Sequence, residues 1–214
     1  METGTPLPPP NRTQARRTHL VTTARALFIE NGFHRTGMAQ IAAASGIKVG
    51  QIYRDFRSKD DLIVDICERD LAAWLDEEVL DRAVEAGDMP AVRGWIDRLL
   101  LSDKPADDGQ LMLEIMAETG RNDRIAGLNQ SCEERIRRNL STALNAIDPR
   151  ESRAVEHDTL IDFIMAVGVG MMMRRALNPD MNVERLDRYI LDIVNQRIDQ
   201  AVPSPAEAAP REYA

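Results

Sequence analysis

The sequence predicts an all-α fold: an N-terminal three-helix domain containing a helix-turn-helix, followed by a larger helical domain. Three observations carry this. Aromatic residues are 4% of the 214, so the core must come from Leu, Ile, Val, Met and Ala, a mixture that favours helices. Apolar residues recur at i, i+3 or i+4 and i+7 in segment after segment. No stretch alternates apolar and polar residues as a half-buried strand would.

Composition sets further bounds. Charged residues at 29% and the AVILMFWYC set at 43% describe a globular chain. Cys67 and Cys132, far apart and without a CxxC, exclude a disulfide scaffold or zinc ribbon and suit a reducing cytosol. The opening METGTPLPPP has no apolar stretch of the kind a signal peptide needs. The longest apolar-plus-glycine run, Phe163 to Met173, is 11 residues, where a membrane span needs about 20. The expectation is a cytoplasmic protein with no membrane partner.

The elements follow in order. Leu20, Ala24, Leu27 and Phe28 form one stripe of a first helix, which Asn31-Gly32 ends because both residues tolerate the left-handed conformation. Thr36 is placed to cap a short helix over GMAQIAAAS, closed by Gly46. A third helix runs from about Lys48 through Tyr53 to about Phe56. Two short helices joined by a tight Gly-containing turn make a helix-turn-helix. Ser58 can cap a fourth helix, with Asp61 reaching back in a capping box. Leu62, Ile63, Ile66, Cys67, Leu71, Trp74, Leu75 and Val79 extend it to about Gly87. Further helices are predicted near 90–102, 108–119, 123–147, from Pro149 to about Leu177, and 183–200. The divisions are a flexible arm at 1–13, a helix-turn-helix domain at 14–60, a helical domain at 61–201 and a disordered tail at 202–214.

Charge divides along the same line. The net charge is −8, yet residues 1–59 carry nine Lys/Arg against three Asp/Glu, a balance of +6 that leaves −14 for the rest. A basic head suits a polyanion and an acidic body repels one; a chance cluster of solvated charges would give the same count.

Within this head, IAAASGIKVGQIYRDFRSKDDL resembles the signature of the tetracycline-repressor (TetR) family of bacterial regulators. That signature runs roughly I-A-x-x-A-G-V-S-x-G-x-x-Y-x-[YH]-F-x-S-K-x-x-L. Ile41, Ala42, Gly46, Gly50, Tyr53, Phe56, Ser58, Lys59 and Leu62 match it. Upstream, ARALFIENGFHRTGMAQIA resembles the family's first helix, its Gly-Phe turn and its capping threonine, so the likeness covers about 45 residues. LEIMAETGRNDRI and GVGMMMRRALNPDMNVERLDRYI are weaker echoes of the family's body. Lys48 departs from the usual Ser/Thr, Ser45 from Ala, and Asp55 from a Tyr/His that often holds a phosphate. Asp55 would face a polyanion unfavourably unless Arg54 or Arg57 pairs with it.

In a helix-turn-helix the N-terminal residues of the second helix meet base edges in the major groove. Here these are Lys48, Val49 and Gln51. Gln51 can pair with adenine and Lys48 with guanine, although Lys48 equally suits a phosphate. Val49 can meet a thymine methyl or stand by. Gly50 permits close approach of the backbone. The resemblance makes Tyr53 and Lys59 a phosphate-holding pair, and Thr36 can combine capping with a phosphate contact. Arg12, Arg16 and Arg17 are either a minor-groove arm or a solvated tail.

In the body, Trp74, Trp95, Met112, Met116 and Phe163 are the candidates to line a ligand cavity, although such stripes more often build core. Glu114, Glu118 and His157 read as solvated or as helix–helix hydrogen-bond partners. Gly168 and the Ile190/Ile193/Val194 stripe suggest a dimer seam between the last two helices and their copies. No HExxH, Walker loop, GxSxG or di-iron Glu-x-x-His motif is present, so no catalytic residue, metal or cofactor is expected. The resulting expectation is a one-component, homodimeric transcriptional repressor. It would bind palindromic duplex DNA and be released by a small-molecule effector of apolar or aromatic character. The alternatives are an activator or ligand-independent regulator and, in a different class, a helical enzyme or ligand-binding dimer.

Overall fold

The computed structural model describes residues 12–101, 106–178 and 180–201. The helices are α1 (Arg12–Asn31), α2 (Met38–Ser45), α3 (Val49–Asp55), α4 (Lys59–Leu75), α5 (Glu77–Glu85), α6 (Met89–Leu100), α7 (Ala106–Glu118), α8 (Asp123–Ile147), α9 (Ala154–Leu177) and α10 (Glu184–Ala201). A 3-10 turn over Glu151–Arg153 precedes α9. No strand occurs among the described residues, and none of their helices is long and apolar enough to cross a membrane. Of the expected arm at 1–13, Arg12 and Thr13 open α1 and the rest lies outside the described residues, as does the tail at 202–214.

Two compact units emerge. One comprises the chain up to Asp70 together with Leu111–Leu128; the other comprises Leu71–Gln110 together with the chain from Asn129. Periodicity gives no sign that the 111–128 stretch belongs with the head.

The first unit is organised around α1. Leu20, Ala24 and Phe28 are buried on one stripe, and Phe33, Ile41, Ile52, Phe56, Leu62 and Ile63 fill the space around them. Phe28 and Phe33 meet edge to face with centroids 5.3 Å apart. Each such side chain withdrawn from water contributes about 1.5–3 kcal/mol. Gly32 (φ 83) and Gly46 (φ 68) take the left-handed conformation that ends α1 and α2.

The second unit is built from longer apolar faces. Leu80, Trp95, Ile96, Leu140, Leu144, Ile161, Val194 and Ile198 are buried in one cluster. Polar groups tie the helices at their flanks. Arg135 of α8 forks onto Glu77 of α5 at 2.8 and 2.5 Å, and Asn139 donates to the same carboxylate at 2.8 Å. These donors hold the Glu77 carboxyl down at about 2. Arg175 and Asp187 pair across α9 and α10 at 2.9 Å. His157 hydrogen-bonds Asn145 through Nδ1 at 3.2 Å, the structural role expected of it.

Two helices differ from expectation: α9 starts at Ala154, not at Pro149, and the fourth departs further. The fourth does not run on to Gly87 but ends at Leu75, and α5 begins two residues later. Asp76 stands between them in the left-handed region, φ 47. The physical reason is competition for carbonyls. Trp95 Nε1 donates to Leu75 O at 2.6 Å, and Arg98 donates to Trp74 O at 2.6 Å and Leu75 O at 2.9 Å. These donors, all from α6, satisfy the helix end that further backbone turns would otherwise have served.

Candidate nucleic-acid interface

The helix-turn-helix is set by short-range chemistry. Gly37, not Thr36, is the cap residue of α2, a correction to the sequence reading. Gln40 Oε1 accepts from Gly37 N at 2.7 Å, tying the helix start to its first turn. Ile41 and Ala42 are buried and Gly46 turns the chain. Lys48 caps α3 through its carbonyl, which accepts from Gln51 N at 2.7 Å. Ile52, with no exposed surface, anchors α3 to the unit's core.

With Ile52 inward, the other side of α3 faces solvent. Lys48 and Gly50 are exposed, Gln51 is half-buried, and Val49 and Tyr53 expose 41% and 49% of their surface. Beyond its chain neighbours and the backbone of its own helix, no atom lies within 4 Å of where a Cβ on Gly50 would stand. Five of the seven predicted DNA-contacting residues therefore gather on one short helix and its cap, with side-chain donors on Lys48, Gln51 and Tyr53.

The other two are placed differently. Thr36 is 1% exposed, and its hydroxyl is directed at Gly32 O (2.9 Å) and Leu27 O (3.1 Å). It closes the end of α1, and its hydroxyl is not presented to a phosphate. Lys59 directs its ammonium to Phe33 O at 2.9 Å, with His34 O at 3.4 Å, and sits 4.3 Å over the Phe33 ring. A phosphate at Lys59 would share an ammonium already engaged with the α1–α2 turn.

That turn has a second hold. Phe33 N donates to Glu114 Oε2 at 2.6 Å, and His34 Nε2 meets Glu118 Oε1 at 2.7 Å. Both carboxylates come from α7, so Glu114 and Glu118 are partners of the turn and not solvated groups.

Asp55 also departs from expectation. Its partner is neither Arg54 nor Arg57 but Arg16, which forks onto the carboxylate at 2.6 and 2.9 Å, while Arg17 donates to the Asp55 carbonyl at 2.9 Å. The Arg16 hydrogen bonds hold the Asp55 carboxyl below its ordinary value. Arg16 and Arg17 lie in α1, Arg17 stacking 4.3 Å over Phe56 and pairing with Asp65. They are scaffold, not a minor-groove arm. The pairing spans 39 residues of sequence, beyond any local signal; the scarcity of acids in the head was the one available hint.

The candidate ligand residues are divided between the two units. Met112 and Met116 belong to the first unit; Trp74, Trp95 and Phe163 belong to the second. Trp95 is 2% exposed with its N–H spent on Leu75, so it is core. Trp74 is half-buried and Phe163 is 37% exposed. Two surface clefts stand out among the described residues, and none of the five lines either. One, of about 580 Å³, runs along α10 from Asp192 to Gln200; the other, of about 360 Å³, lies in the first unit.

Residues 20–66 match the family described as bacterial regulatory proteins, tetR family. The HTH-type transcriptional regulator UidR of Escherichia coli (strain K12) is 26% identical over 182 residues, 84% of this chain and 78% of that protein. The HTH-type transcriptional repressor KstR2 of Mycolicibacterium smegmatis is 31% identical over 77 residues, 35% of this chain and 37% of that one. Salmonella enterica GusR has the same fold, with a TM-score of 0.63 at 22% identity over 88% of this chain and 98% of its own. The matched segment coincides with the helices that build the exposed face of α3, and the fold resembles that of the solved structure over most of the chain: residues 20–66 form a helix-turn-helix segment of the tetR-family type.

Proposed function

We propose that this protein is a cytoplasmic homodimeric repressor that binds a palindromic operator and is released by a small apolar or aromatic effector. The observation that carries the DNA-binding part is the face of α3, where Lys48, Gln51 and Tyr53 stand around the open position of Gly50. Gln51 and Lys48 read base edges, Gly50 allows the backbone close, and Tyr53 and Lys59 hold phosphates. A two-fold dimer then reads two half-sites about one helical turn apart, which makes the operator palindromic.

Dimerisation is assigned to the second unit, with a different seam from the one the stripe suggested. Ile190 and Val194 are buried within their own unit. The faces left outward are Val169, Met173 and Leu177 of α9, with Tyr189 of α10, all more than 40% exposed. Gly168 and Gly170, also exposed, would allow two copies to approach closely along α9. Effector binding in this unit would lower operator affinity, and operator would lower effector affinity by the same factor.

The test is selection of duplexes from a random pool, followed by titration over a range of salt. Recovery of a palindrome whose affinity falls steeply with salt is expected. Salt-independent binding, or none above random duplex, would overturn the reading. A thermal-shift screen of small molecules followed by operator titration tests the effector.

A further inference from the structure

The cleft of the first unit lies beside the C-terminal end of α3, with Arg17, Arg54, Arg57 and Arg124 on its walls. Its acids are mostly spent. Asp55 is held by Arg16, and Asp65 by Arg17 and Arg69. Asp61 pairs with Arg124 and also accepts from Arg57 N. Glu68 is the exposed carboxylate left on the rim. Arg54 and Arg57 are exposed; neither guanidinium forms a hydrogen bond or ion pair among the described residues, and Arg54 acts on Asp55 through its charge alone. Arginines 16 and 17 thus neutralise Asp55 from behind and leave two unpaired cations in front.

We propose that Arg54 and Arg57 grip the DNA sugar–phosphate backbone at the end of α3, at the place where Asp55 forfeits a phosphate contact. Base edges are met by the N-terminal residues of a recognition helix. Cations at its far end therefore meet the backbone as it leaves the groove, where a guanidinium fits a phosphate with two parallel hydrogen bonds. The pairing of Asp55 with Arg16 is what makes an acid tolerable at this point. The inference rests on the DNA-binding reading above.

The experiment compares the full-length protein with R54A, R57A, the double variant and R57K on the selected operator and on random duplex. Each loss of one phosphate contact should lower the slope of log affinity against log salt by about 0.9 per bound protomer. Affinity at 0.1 M salt should fall about ten-fold per contact. The loss should be alike on both duplexes, with the selected sequence unchanged. R57K keeps the charge and should keep most of the slope, which separates a phosphate grip from misfolding. Alanine variants with the parent slope, or with an altered sequence preference, overturn the inference while leaving the DNA-binding reading intact. A parent protein with no salt-dependent duplex binding overturns both.

Discussion

The two units hold their helices by different means. In the first, charged groups join helices and turns: Arg16 on Asp55, Arg25 on Asp70, Lys59 on the α1–α2 turn, and Glu114 and Glu118 on the same turn. In the second, α5, α6, α8, α9 and α10 bury aliphatic side chains in one cluster, and polar groups serve chiefly helix ends and flanks. A helix of seven residues such as α3 offers little apolar surface beyond Ile52, so ion pairs from a neighbouring helix share in fixing its orientation. The lesson is that in the head a charge change can act on geometry, whereas in the body it should act on stability alone.

The sharpest break of this contrast is in the second unit. Trp95→Ala removes the largest buried side chain and one donor to the α4 end, at an expected cost of about 3–5 kcal/mol in denaturant unfolding. Trp95→Phe, which keeps most of the packing and leaves Arg98 on the Leu75 carbonyl, should cost clearly less. Equal costs would mean that the hydrogen bond, not the packing, governs this unit.

Glu77 comes next. Its folded-state carboxyl titrates near 2, below its ordinary 4.5. A depressed acid stabilises fully above its unfolded value and loses that contribution as pH falls toward 2. Glu77→Gln should therefore cost about 1–2 kcal/mol at pH 7, and acid should destabilise the variant less than the parent between pH 4.5 and 2. Parallel acid-unfolding curves would refute this.

Arg16→Ala should weaken operator binding about ten-fold, the equivalent of one lost phosphate contact, and should also lower the unfolding temperature, because it leaves the Asp55 carboxylate, 8% exposed, without its partner. The uncovered Asp55 carboxylate is then free to repel the DNA. If Asp55→Asn in that background fails to restore affinity, the charge argument is wrong. The smallest effect on folding is expected from Gly50→Ala. Helix propensity should leave stability unchanged or raise it by about 1 kcal/mol, because nothing beyond its chain neighbours and its own helix backbone stands within 4 Å. Operator affinity should nevertheless fall.

Local signals made much of this fold readable. The stripe of Leu20, Ala24 and Phe28, the turns at Gly32 and Gly46, and the buried Ile41, Phe56 and Leu62 all depend on neighbours within a few residues. Partnerships between distant segments did not show. Asp55 is joined by a residue 39 positions away, and Phe33 by one 81 positions away. The break at Asp76 was hidden because Leu71, Trp74, Leu75 and Val79 continue one apolar stripe across it. The donors that end α4 lie 20 to 24 residues later in the sequence. The candidate interface was legible where it coincided with α3 and illegible at Thr36, whose hydroxyl the end of α1 had already claimed.

The left-handed joint at Asp76 also acts as a register mark for whatever is built after it. Leu80 and Ala83 are the buried residues of α5, and they face inward only because the helix starts at a fixed residue. One residue inserted between Asp76 and Leu80 would turn that helix by about 100° and present a polar flank to the core. Exchange of Asp76 itself for Asn or Gly keeps the count and suits the left-handed backbone. An engineer recombining this body with another head would therefore find the spacing on the C-terminal side of residue 76 inviolable and the identity of residue 76 negotiable.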